Sequence, residues 1–86
     1  MKENTNEELF NSLVYTFNLT AMQQLGKVPN SLTGEREKDL EQASLSIDML
    51  TMLYEKTKNN LTVGEEAFLK QTLTQLQAVY LEEVQK

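Results

Sequence analysis

GKVPNSLTGEREKDL, residues 26 to 40, holds the single proline of the chain, two of its three glycines and its only arginine. How this stretch is read decides the fold: it is either a ligand loop or the corner between two helices. Gly26-Lys27 invites a phosphate-loop reading, but that motif needs Gly-x-x-x-x-Gly-Lys-Ser/Thr after a strand. Here Lys27 is followed by Val28, and the preceding residues have a helical period. Pro29 holds Val28 extended and prevents the first helix from continuing. Asn30, Ser31 and Thr33 offer side-chain acceptors to turn and cap amides, and Val28 and Leu32 can tuck over the end of a bundle. The segment therefore reads mainly as a corner. Its alternative is an anion or peptide site made from Lys27, Asn30, Thr33, Gly34 and Arg36 around the first amides of the next helix.

Working outward, three long stretches repeat at about 100° per residue and none alternates like a strand. The first is predicted from Asn6 to Leu25, started by the capping box Thr5-x-x-Glu8 and stopped by Gly26 in the left-handed position. Phe10, Leu13, Val14, Phe17, Ala21 and Leu25 form its core stripe. The second is predicted from near Gly34, with Thr33 as N-cap, to about Lys58, and Asn59-Asn60 fits its stop. Leu40, Ala43, Ile47, Leu50 and Tyr54 line its inner side, with Leu53 at the margin. The third follows the capping box Thr62-x-x-Glu65 and carries Leu69, Leu73, Leu76, Tyr80 and Val84, flanked by Phe68 and Val79. The fold class is all-α: three long helices in an antiparallel bundle, completed by self-association. Residues 1–5 are expected to be a frayed start and residues 6–86 one domain.

Self-association enters through size. A chain of 86 residues buries only about 60–65% of its unfolded surface, and its ledger of burial against ordering entropy comes out near zero. No cysteine or histidine is present to add a disulfide or a structural zinc site. Thirteen acids outnumber eight bases, a net charge of −5. The bases are scattered, so a nucleic-acid surface is not expected. The start MKENTNEELF lacks the basic and apolar regions of a signal peptide, and no run is long and apolar enough to span a membrane. The expected location is the cytoplasm.

The stretch Gly26 to Thr62 also resembles the signature of the uncharacterised domain-of-unknown-function family 1844. It pairs Pro29-Asn30-Ser31-Leu32-Thr33-Gly34-Glu35 with Ile47-Asp48-Met49-Leu50 and Glu55-Lys56-Thr57-Lys58-Asn59-Asn60-Leu61-Thr62. The likeness covers about Leu13 to Leu81. Val63-Gly64 stands where the family pattern has Pro-Glu. The resemblance implies a bacterial source and an all-helical fold, and it carries over no catalytic or binding residue.

Without His or Cys, the usual nucleophile–base pairs and Glu-x-x-His metal spacing are unavailable. No enzyme activity, metal or cofactor is expected. The pairs Glu7-Glu8, Glu65-Glu66 and Glu82-Glu83 read as a solvated face, and Asp48 as an exposed acid on a shoulder near Ser44 and Thr51. More informative is a surplus of apolar residues. Tyr15, Leu19 and Met22 on the first helix, and Leu45, Met49 and Met52 on the second, form stripes beside the core stripes. Either the helices splay so that the third covers them, or they dock another chain, to which methionines adapt well. The expected function is a small helical interaction module or homodimeric subunit. The alternative is a small-ligand-binding bundle with a pocket lined by Tyr15, Tyr54 and Tyr80.

Overall fold

The computed structural model describes residues 4–86, folded as three helices: α1 (Asn6–Gln24), α2 (Leu40–Lys56) and α3 (Val63–Val84). The expected frayed start meets these residues at Thr5, which is an ordered N-cap; residues 1–3 lie outside the described residues. The Thr5 hydroxyl accepts from the Glu8 amide at 3.1 Å, and Glu8 accepts from the Thr5 amide at 2.9 Å. Those bonds, the backbone one first, hold the Glu8 carboxyl below its ordinary pKa. At the far end, the Lys27 amide bonds to the Met22 carbonyl and the Gly26 amide to that of Gln23. This paired arrangement needs a left-handed residue after the cap, and Gly26 supplies it at φ 79°. α3 starts with the second capping box, Thr62 and Glu65, after Asn59 has turned the chain at φ 71°.

The start of α2 corrects the sequence reading. Its N-cap is Asp39, whose carboxylate accepts from the Gln42 amide at 3.1 Å, and Thr33 caps no helix. Gly34 has φ 73° within a closed turn, where its amide donates to the Asn30 carbonyl at 2.7 Å. Glu35, Arg36, Glu37 and Lys38 give a helical turn no apolar side chain to bury, and a turn without packing does not sustain itself. The chain instead runs back beside the end of α1, bridging Lys38 to Leu25, before the Asp39 amide bonds to the Gln24 carbonyl at 2.7 Å. The helix also ends at Lys56, with Thr57 as its cap, two residues short of the expected Lys58.

Each helix packs on the other two, in up-down-up order. Thr62 donates to Glu7 at 2.5 Å, which ties the N-terminal ends of α1 and α3 together. The core is Val14, Ala21 and Leu25 from α1, Ala43, Ile47 and Leu50 from α2, and Leu69, Leu73 and Leu76 from α3. Leu13 and Val84, expected inside, are 46% and 49% exposed. Leu13 lies roughly 80–100° around α1 from Val14 and Ala21, and Val84 is the last residue of α3. The place on α3 one heptad after Leu76 belongs to Glu83.

The molecule is flat, 38 × 31 × 15 Å, with a radius of gyration of 13.9 Å. A compact chain of this length has about 12 Å. Its accessible surface is 6220 Å², against roughly 5,200 Å² for a typical monomer of the same mass.

Candidate interaction faces and the charged end

At the end of the bundle where α1 and α3 finish, Glu83 is buried, 4% exposed. Lys27 reaches its Oε2 at 2.9 Å, Lys38 its Oε1 at 2.7 Å, and Lys86 its Oε2 at 2.9 Å. The lysines, Lys27 foremost, hold the Glu83 carboxyl far below the usual carboxylate range. In return Glu83 raises the Lys86 ammonium above its ordinary value. The expectation that Glu82-Glu83 is a solvated pair is thus corrected for Glu83. Glu65, also buried, departs from the same expectation because its carboxylate turns inward to cap its own helix. Sequence spacing hides the Glu83 site, since two of its partners come from positions far along the chain. The signal that was available is the heptad step Leu69, Leu76, Glu83.

Four of the five candidate loop-site residues have structural roles. Lys27 belongs to Glu83. The Asn30 side chain accepts from the Leu32 and Thr33 amides at 2.8 and 3.2 Å, and the Thr33 hydroxyl accepts from Glu35 at 3.2 Å. Gly34 makes the turn, and Arg36 is exposed. The amides that would cradle an anion at Leu32, Thr33 and Glu35 already have partners. The segment forms the corner that joins α1 to α2.

The candidate interface residues do not form one face. Ser46 donates to the Gln24 side chain at 2.7 Å, which fixes the flanks along which α1 and α2 meet. Helical geometry then sets Leu45, Met49 and Met52 on the outer side of that seam. All three are exposed. The α1 residues that turn to the same outer side are Leu9 and Leu13, also exposed, above half-buried Phe17 and Leu53. Tyr15 and Leu19 are exposed on the opposite flank of α1, and Met22 is half-buried against the core. Leu19 lines a hollow of about 280 Å³ under the corner, with Val28, Pro29 and Ser31. Leu9 and Leu13 are the residues that the sequence reading missed. A signal existed: from Leu9 to Gly26 the chain has no charged residue, unusual for a helix with an open face.

The three tyrosines sit in different surroundings among the described residues. Tyr15 is exposed on α1, Tyr54 packs on the core, and Tyr80 alone lines a hollow between α2 and α3. Among the described residues no helix is long and apolar enough to cross a membrane.

These features define a small all-helical bundle with a charged end built around Glu83 and an apolar outer face whose α1 side carries no charge. The family model described as Domain of unknown function (DUF1844) matches residues 7–82, nearly the whole chain, and the chain belongs to that family. No curated protein and no solved structure matches it.

Proposed function

We propose that this protein is a non-enzymatic, cytoplasmic bacterial interaction module that works as a homodimer through the outer face of α1 and α2. The observation that carries the reading is the apolar strip of Leu9, Leu13, Leu45, Met49 and Met52 left in water on a seam whose α1 side is uncharged. Two copies of net charge −5 repel each other, so they approach at least cost where neither presents an acid. The area agrees. The surface of 6220 Å² exceeds the typical monomer value by roughly 1,000 Å², and a standard interface takes about 800 Å² from each partner. A two-fold axis across the strip covers the same patch on both copies.

Met49→Asp and Leu13→Glu each place an unpaired charge in that contact, a cost of several kcal/mol when buried. Both variants are expected to run as monomers in size-exclusion chromatography with light scattering while keeping their helical circular dichroism. Tyr15→Glu, on the other flank, leaves the dimer intact. If Tyr15→Glu separates the copies and the first two do not, the face is misplaced. A wild-type monomer at high micromolar concentration removes the homodimer altogether.

A further inference from the structure

The hollow between α2 and α3, about 310 Å³, is lined by Ser44, Ile47, Asp48, Gln77, Tyr80 and Leu81. Ile47 is buried at its floor, and half-buried Tyr80 and exposed Leu81 add apolar surface from α3. Four side chains with hydrogen-bonding groups converge on it from two helices. Elsewhere the bundle spends such groups internally: Ser46 bonds to Gln24, Thr51 to the Ile47 carbonyl, and Thr57 to that of Leu53. Ser44, Asp48, Gln77 and Tyr80 make no side-chain hydrogen bond or ion pair among the described residues. Asp48 is the only charged residue of α2 between Glu41 and Glu55.

An apolar floor with a few convergent polar groups is the usual composition of a small-ligand site, and this volume lies at the small end of that class. The single charge sets the sign of what enters. A carboxylate accepts strong, charge-assisted bonds from an ammonium or guanidinium and repels anions. An aromatic ring beside it favours the same cations. We infer that the α2–α3 hollow is a binding site for a cationic group, an ammonium or guanidinium, on a short aliphatic stem. The stem lies on Ile47 and Leu81 while the charge meets Asp48. Ser44, Gln77 and the Tyr80 hydroxyl take up the remaining donors. This site is separate from the outer α1–α2 face, so it stands or falls independently of the dimer.

The test is a titration of the ¹⁵N-labelled protein, followed by amide shifts, with n-butylammonium, with Nα-acetyl-lysine methylamide, and with hexanoate as the anionic control. The expected result is saturable shifts confined to residues around Ser44, Asp48, Gln77 and Leu81 for the cations, and none for hexanoate. Asp48→Asn, an exposed and nearly isosteric change, weakens cation binding by roughly tenfold or more while the thermal melt stays in place. Butylammonium binding better than the lysine derivative indicates a free small amine as the natural occupant. The reverse order indicates a basic side chain of a partner, and both orders retain the cation site. Shifts that fail to saturate at millimolar concentration, that scatter over all the acidic residues, or that persist unchanged in Asp48→Asn overturn it.

Discussion

The charged end around Glu83 and the outer face of α1 and α2 solve the same problem in opposite ways. Both lie at margins of the three-helix core, one where charge replaces apolar packing and one where apolar side chains are left over. At the Glu83 end the chain brings in three lysines, from the end of α1, from the approach to α2 and from beyond α3, around one buried carboxylate. The site closes using its own charges and pins the corner to α3. On the outer face Leu9, Leu13 and Met49 remain open, with no charge on α1 to make that side comfortable in water. The contrast shows where each device is usable. A charge cluster can finish an end that stays solvated, whereas an apolar face with no charge on its α1 side suits contact between two acidic copies.

Several substitutions probe this contrast, and the largest effect belongs to the core beneath both regions. Leu50→Ala removes a fully buried side chain and is expected to lower unfolding free energy by about 2–5 kcal/mol in urea titration. A loss under 1 kcal/mol would mean that the seam is loosely packed.

Next comes Glu83. Its folded pKa lies below its ordinary value of 4.5. Between the two values the unfolded chain binds more protons, so stability rises with pH there. The contribution is complete above pH 4.5 and fades as pH falls below it. Wild-type melting temperature should therefore drop on acidification below that point more steeply than that of Glu83→Gln. Glu8, also depressed, leaves some slope in the variant. Parallel pH profiles for the two proteins would show that the lysines do not stabilise the fold through Glu83.

The smallest effects separate two capping residues. Asp39→Ala removes the true cap of α2 and is expected to cost about 0.5–2 kcal/mol. Thr33→Ala removes only one loop hydrogen bond and stays within roughly 0.5 kcal/mol. The opposite order, read from two thermal melts, would restore Thr33 as the helix start.

Much of the fold was legible because its signals are local. Thr5 with Glu8, Thr62 with Glu65, and Gly26 each act within a few residues, and each does in the structure what its spacing implies. The start of α2 was not legible, since Thr33-Gly34-Glu35 and Asp39 are rival caps. Tertiary burial decides between them: Leu40 packs against the core, and nothing from Glu35 to Lys38 does. Glu83 was hidden because a buried acid is defined by partners distant in sequence. Leu13 failed at the edge of its stripe, where a single rotation angle cannot tell inside from outside, and Val84 at the last residue of α3. Of the candidate interface residues, Leu45, Met49 and Met52 are exposed beside the α1–α2 seam, Tyr15 and Leu19 are exposed on the other flank of α1, and Met22 packs against the core.

The central claim, that the open face of α1 and α2 is covered by a second copy, is tested most directly by sedimentation equilibrium of the unmodified chain over a range of micromolar concentrations. The account predicts a mass of about twice 9.9 kDa that falls toward the single-chain value on dilution. A mass that stays at 9.9 kDa through high micromolar concentration would contradict it.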